Sequence, residues 1–138
     1  MKKILSIVTL FLLMVPVFAT TINIPGDYPT IQDGIEAASD GDTVLVHPGT
    51  FYGAIDFLGK SIVLGSLYIL EEDESYIDQT ILSNFVNISF VPDSELNGFT
   101  FQDIYLNSDD GPQAIIYIEE ASPIIINNRF DNFYLFQG

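Results

Sequence analysis

Apolar positions change their spacing near residue 40. Before it, Ile31, Ile35 and Ala38 share one face of a short amphipathic helix, and Thr30 is a favourable N-cap residue for that helix. This spacing predicts a capping helix over about residues 30–39. After residue 40 no stretch keeps a helical period, so strands and turns are predicted for the rest of the chain.

The strands are predicted from short apolar segments with turn residues between them. Val86–Phe90 and Phe99–Gln102 alternate most clearly between apolar and polar side chains. Thr21–Pro25 also alternates and predicts a short edge strand that proline ends, while His47–Thr50 has the composition of a turn. The other predicted strands are Thr43–Val46, Ala54–Phe57, Ser61–Leu64, Thr80–Leu82, Ala114–Ile118, Ile124–Ile126 and Asn128–Phe130.

These strands recur at a coarse period of about 26 to 29 residues, which is typical of a solenoid. In a solenoid each coil buries its inward side chains only against the coils above and below it. We also expect Asn127 and Asn128 to occupy a corner, where a side-chain amide can bond the next coil. The predicted inward residues are Val44, Val46, Ile55, Phe57, Ile62, Leu64, Ile81, Val86, Ile88, Leu96, Phe101, Ile116, Ile118, Ile124, Ile126 and Phe130.

The first nineteen residues have the pattern of a secretory signal peptide. Lys2 and Lys3 precede an uncharged stretch from Ile4 to Val15, and a small residue, Ala19, stands where cleavage is expected. That stretch is shorter than the roughly 20 residues that a membrane-spanning helix needs. We therefore predict a signal peptide over residues 1–19 and no membrane span in the mature chain.

Charge and composition exclude several classes of protein. The 138 residues include 19 acidic and four basic side chains, a formal net charge of −15, and no cysteine. Without cysteine there is no disulfide scaffold, thiol nucleophile or cysteine metal site. Binding to nucleic acid is not expected, because it requires a basic surface. The predicted mature chain keeps only Lys60 and Arg129 as cations, so it should avoid polyanions unless a divalent cation bridges them.

Four segments carry a resemblance to one superfamily. Thr30–Phe51 resembles the N-terminal cap and first coil of pectin lyase-like right-handed parallel β-helix proteins, and Gly59–Ile62 resembles the start of their second coil. Leu96–Phe101 and Ser122–Phe130 are similar to later repeats of the same superfamily. The resemblance implies an all-β, right-handed parallel β-helix over residues 20–138, with a short capping helix. Because the chain stops just after a repeat, we expect it to be the N-terminal part of a longer β-helix or the product of a truncated reading frame.

The function that this resemblance implies is that of a secreted or cell-surface scaffold. The superfamily includes pectate lyases, polygalacturonases and pectin methylesterases, but the sequence looks most similar to long bacterial secreted proteins without catalysis. The expected role is a carbohydrate-associated or adhesin-like module. Expected partners are a polysaccharide or cell-surface glycan and further β-helix coils of the same or a longer chain. The alternative is the N-terminal fragment of a polysaccharide-degrading enzyme of one of those three types, with its active site beyond residue 138.

Candidate catalytic residues are sparse. A polyuronate lyase needs a base such as Arg or Lys, and only Lys60 and Arg129 are available. We expect Lys60 to be a solvated corner and Arg129 to be a surface arginine paired with Asp131 or another acid. Asp109–Asp110 resembles the aspartate pair of polygalacturonases, but the other motifs of those enzymes are absent, and a loop is expected.

Candidate metal ligands are equally few. His47 is the only histidine, which argues against a transition-metal site. The acidic run Glu71–Glu74 could bind Ca²⁺ weakly, although a solvated loop is the expected structure. We therefore assign no catalytic, cofactor-binding or metal-binding residue and leave enzyme activity undecided, with a scaffold favoured for this chain.

Overall fold

A computed structural model describes residues 18–83, 85–91, 93–107 and 114–136. Nearly all of the predicted signal peptide, residues 1–19, and the Asp109–Asp110 pair lie outside these ranges. In the part of the chain that is described, no helix has both the length and the apolar composition required to cross a membrane.

The described residues form twelve short strands and three short helices. The strands are β1 (Thr21–Ile24), β2 (Thr43–Val46), β3 (Gly49–Phe51), β4 (Ile55–Asp56), β5 (Val63–Ser66), β6 (Thr80–Leu82), β7 (Val86–Ser89), β8 (Glu95–Asn97), β9 (Thr100–Asn107), β10 (Ile116–Glu119), β11 (Ile124–Ile126) and β12 (Arg129–Phe136). The helices are α1 (Ile31–Ala37), α2 (Tyr68–Glu71) and α3 (Ser75–Gln79).

All strand pairs are parallel, and they build three sheets. The first sheet has the order β1-β2-β5-β8-β11, the second β3-β6-β9-β12 and the third β4-β7-β10. From β2 onward the chain visits the first, second and third sheets in that fixed order, and we call each such passage a circuit. The chain is thus mostly β with parallel sheets, which agrees with the predicted all-β class.

Apolar side chains of successive circuits lie in register and form the core. Leu64 pairs with Leu96 in the first sheet, and Leu82 pairs with Phe101 in the second; all four side chains are fully buried. Phe130 of β12 pairs in register with Phe101 of β9, and the two rings stack with their centroids 5.0 Å apart. Phe101 and Phe130, both predicted to point inward, therefore lie on the same face of the second sheet.

Most predicted inward residues are buried, but three predictions are wrong by one position. Ile124 and Ile126 are about half exposed, and Ile125 instead pairs with buried Leu96 and packs on the core. Ile81 is only half-buried, and its neighbour Leu82 points inward. A shift of one residue moves every side chain of a strand to the other face. The confirmed positions are Val44, Val46, Ile55, Phe57, Ile62, Leu64, Val86, Ile88, Leu96 and Phe101.

Three further predicted core residues pair in register with buried residues but are not fully buried themselves. Ile116, Ile118 and Phe130 pair in register with the buried residues Val86, Ile88 and Phe101. Ile118 and Phe130 are nevertheless 44% and 46% exposed. Each lies on the last described strand of its sheet, and no described strand pairs with the far edge of β10 or β12.

Two predictions of local structure are also wrong. The predicted turn at His47–Thr50 runs into strand β3, and the short helices α2 and α3 follow residue 40, where only strands and turns were predicted. Helices of four and five residues are too short to show a helical period in the sequence.

Helix α1 lies within the predicted helical range of residues 30–39 and packs against β1, β2 and β4. The Thr30 hydroxyl accepts a hydrogen bond from the main-chain N–H of Asp33, which confirms the predicted N-cap. Gln32 bonds the main chain of Asp56 through both atoms of its amide, at 2.9 and 3.3 Å, and so completes the free edge of β4. A Cβ atom on Gly34 would lie 2.7 Å from Ile24 Cδ1, so any larger residue at this position requires the buried Ile24 side chain to shift.

The same left-handed backbone conformation recurs at the corner after each strand of the third sheet. Leu58, Phe90 and Glu120 have φ values of 54°, 59° and 47°. At another corner, Asn127 has a φ of 55°, and its side-chain amide donates to Asn97 Oδ1 of the preceding circuit at 3.0 Å. The predicted amide contact between circuits is therefore confirmed for Asn127.

Candidate functional site: the third-sheet groove

The outer face of the third sheet and its corner form a shallow open groove of about 540 Å³. Strands β4, β7 and β10 supply its floor, and the left-handed corner supplies one rim. We call this surface the third-sheet groove. Its lining residues are Asp56, Leu58, Gly59, Asn87, Ser89, Phe90, Tyr117 and Glu119.

A chain of hydrogen bonds fixes the polar floor of the groove. Asn87 Nδ2 donates to Asp56 Oδ2 at 3.0 Å, and Ser89 Oγ donates to Asn87 Oδ1 at 2.7 Å. Asp56 Oδ1 accepts from the main-chain N–H of Leu58 at 2.8 Å. These bonds order the carboxylate and the amide before any ligand arrives, which lowers the entropic cost of binding.

The rim of the groove exposes apolar side chains at unfavourable backbone positions. Leu58 and Phe90 are 49% and 62% exposed, although both have the left-handed conformation that normally favours glycine or asparagine. Tyr117, on β10, is 50% exposed and lies in register with Asn87. A bulky residue in this conformation costs of order 1–3 kcal/mol, and such positions cluster at functional sites.

The arrangement has the features of a binding surface. A groove with apolar and aromatic rims and a few ordered polar groups is the usual form of a small-ligand site. Asp56 and Glu119 supply acceptors, and Asn87 supplies both an acceptor and donors. None of its described lining residues is a histidine, lysine or arginine that could act as a base near neutral pH.

Lys60 does not form the solvated corner that the sequence predicts. Its Nζ donates to the main-chain carbonyls of Ile35, Glu36 and Ala38, each at 2.7 Å. These carbonyls belong to the C-terminal end of α1, where a cation also interacts favourably with the helix dipole. Lys60 therefore anchors the capping helix and points away from the neighbouring groove residue Gly59.

Arg129 pairs with neighbouring acids, as predicted, although not with Asp131. Its guanidinium contacts Asp78 closely and lies 3.1 Å from Glu74 Oε2. Both acids come from the segment around α3, so the pair joins that segment to β12. Glu71–Glu74 is exposed as expected.

His47 and Asp42 both have hydrogen-bond partners within the fold. His47 Nε2 lies 3.1 Å from Asn23 Oδ1. Hydrogen bonds from the main-chain N–H groups of Ser39 and Thr20 lower the pKa of Asp42, and Lys60 adds a smaller effect in the same direction. The described residues bring no group of three possible metal ligands together, and the weak Ca²⁺ site stays a prediction.

Comparison of the chain with protein-family models, with curated proteins and with solved structures gave no match. The resemblance to pectin lyase-like proteins therefore stays a prediction carried by the motifs alone.

Sequence reasoning did not assign the groove residues to a site. Asp56, Asn87 and Tyr117 lie about 30 residues apart, one in each predicted coil, and this spacing was an available signal. Leu58 and Phe90 gave no such signal, because neither leucine nor phenylalanine favours the left-handed backbone conformation.

Proposed function

We propose that this chain folds as a right-handed parallel β-helix of the pectin lyase-like kind, acts outside the cell or at its surface, and binds polysaccharide without modifying it. The fixed order of sheets, the in-register core columns and the recurring corners support the β-helix. Export is supported by the signal-peptide pattern in residues 1–19.

One observation carries the binding role: Leu58 and Phe90 combine an unfavourable backbone conformation with extensive exposure. Neither contributes a fully buried side chain to the core, so folding alone gives no reason for a large apolar residue at these corners. Contact with a ligand does give one, since the ligand recovers apolar burial that the free protein lacks.

A sugar ring matches both parts of the groove. The C–H groups of a sugar ring form an apolar face that packs on Phe90 and Tyr117, and its hydroxyls form edges that both donate and accept hydrogen bonds. Asp56 and Asn87 are fixed on the floor to receive those hydroxyls. Because the lining comes from three circuits, several successive rings of a polymer fit along it.

The test is affinity electrophoresis of the purified protein in gels that contain soluble polysaccharides. Phe90→Asn is the informative variant, because asparagine tolerates the left-handed backbone and the fold is kept while the ring is lost. We expect retardation by at least one polysaccharide, reduced about tenfold or more in apparent affinity by Phe90→Asn.

Tyr52→Asn is the matched control, because Tyr52 is an aromatic residue that is 77% exposed and lies outside the groove. It should bind like the wild type. Equal loss in both variants would contradict the location of the site, and retardation by no polysaccharide would contradict the function. Release of reducing ends or unsaturated uronides by the protein would contradict a non-catalytic role.

A further inference from the structure

The charges around the third-sheet groove are all of one sign. Its lining includes the carboxylates of Asp56 and Glu119, and Glu120 occupies the adjoining corner. Asp56 is half-buried, while Glu119 and Glu120 are exposed. The sequence as a whole carries a formal net charge of −15, which has the same sign as this local field.

Both cationic side chains of the described residues, Lys60 and Arg129, make contacts outside the groove. Lys60 adjoins Gly59 of the groove, yet its ammonium group is held on three carbonyls of α1 at 2.7 Å. Arg129 is paired with Glu74 and Asp78 on the side of the second sheet. Neither can neutralise an anionic group in the groove without breaking contacts that it already makes.

We infer that the third-sheet groove selects uncharged polysaccharides and rejects polyuronates, an inference that rests on the proposed binding function. Hydroxyl groups of a neutral sugar donate to the carboxylates of Asp56 and Glu119, and such charge-assisted bonds are strong. A uronate carboxylate in the same place meets two like charges instead. Juxtaposed like charges are an effective means of rejecting a wrong partner.

Glu119 makes this selection testable without disturbing the core. It lies on the outer face of β10, exposed, in register with Ser89. Replacing Glu119 by Lys therefore reverses one charge in the groove. Glu71→Lys makes the same change in net charge on α2, outside the groove lining, and is the matched control.

The experiment compares binding of a neutral polysaccharide panel (soluble glucan, xylan and galactomannan) with that of polygalacturonate and alginate, in low salt with a chelator present. The chelator removes divalent cations that could bridge carboxylates. We expect the wild type to bind at least one neutral polymer and to bind the polyuronates at least about tenfold more weakly. Glu119→Lys should gain polyuronate binding, and Glu71→Lys should not.

Each outcome separates this inference from the proposed function. Wild-type binding of a polyuronate as tightly as of a neutral polymer would overturn the selection and leave polysaccharide binding intact. Equal gains in Glu119→Lys and Glu71→Lys would also overturn it, because net charge rather than the groove would then decide. Failure to bind any polymer would overturn the proposed function itself, and the inference with it.

Discussion

Asn87 Nδ2 donates a hydrogen bond to Asp56 Oδ2 at 3.0 Å, and this bond joins two successive circuits on the outer face of the third sheet. The same two residues are partners in the strand register. The bond therefore depends on the stacking of circuits some 30 residues apart in sequence, and it fixes the polar floor of the groove. The geometry of the candidate site therefore depends on the in-register stacking of successive circuits.

At the left-handed corner, the substitution that should weaken ligand binding, Phe90→Asn, should also stabilise the fold. Phe90→Asn should raise the free energy of unfolding by about 1 kcal/mol, because asparagine tolerates a φ of 59° better than phenylalanine does. Urea denaturation of the purified protein measures the change. Tyr117→Asn, on strand β10, should bring no such gain, and a clear loss of stability in Phe90→Asn would contradict the assigned strain.

Lys60 and Arg129 should contribute unequally to stability. Lys60→Met leaves three helix-terminal carbonyls without their ammonium donor and should cost about 1–3 kcal/mol. Arg129→Met removes an exposed ion pair and should cost about 1 kcal/mol or less. Equilibrium unfolding in urea tests the order, and an equal or larger cost for Arg129→Met would refute it.

The close approach of α1 to β1 predicts coupling between Gly34 and Ile24. Gly34→Ala should destabilise the protein by about 1–3 kcal/mol despite the better helix propensity of alanine, because the new Cβ would lie 2.7 Å from Ile24 Cδ1. Ile24→Val removes that Cδ1 atom. In a double-mutant cycle followed by thermal unfolding, the double variant should be more stable than additivity predicts; strict additivity would show that the contact is unimportant.

Asp42 should make the N-terminal end of the stack sensitive to acid. Its pKa in the folded protein is lowered, so the stability it confers is full above its unfolded pKa of about 3.9 and is lost as the pH falls through that value toward the folded pKa. Between pH 5 and 3, Asp42→Asn should therefore lose less stability than the wild type does. Glu71→Gln, an exposed control, should follow the wild-type curve, and identical slopes for all three proteins would contradict this role of Asp42.

Much of the core could be predicted from the sequence, because polar residues mark the alternation. In Val86–Phe90, Asn87 and Ser89 identify the outer face, so the inward position of Ile88 follows directly. In Ile124–Ile126 three identical residues give no such mark, and the inward residue is Ile125 only because it pairs with Leu96. The register between circuits decides this, and it is not a local property.

The candidate site was harder to predict than the core. Its rim depends on the left-handed conformation of Leu58 and Phe90, which neither residue type favours. Lys60 was misjudged for a related reason: its partners are carbonyls of α1 more than 20 residues away, and only the folded stack brings them together.

The most direct test of this account is an NMR titration of the ¹⁵N-labelled protein with a short neutral oligosaccharide drawn from a polymer that it binds. We expect the largest changes at the side-chain amide of Asn87 and at the main-chain amides of Leu58, Phe90 and Tyr117, with little change at Tyr52. Perturbations centred on the second sheet, with the third-sheet groove unaffected, would contradict the account.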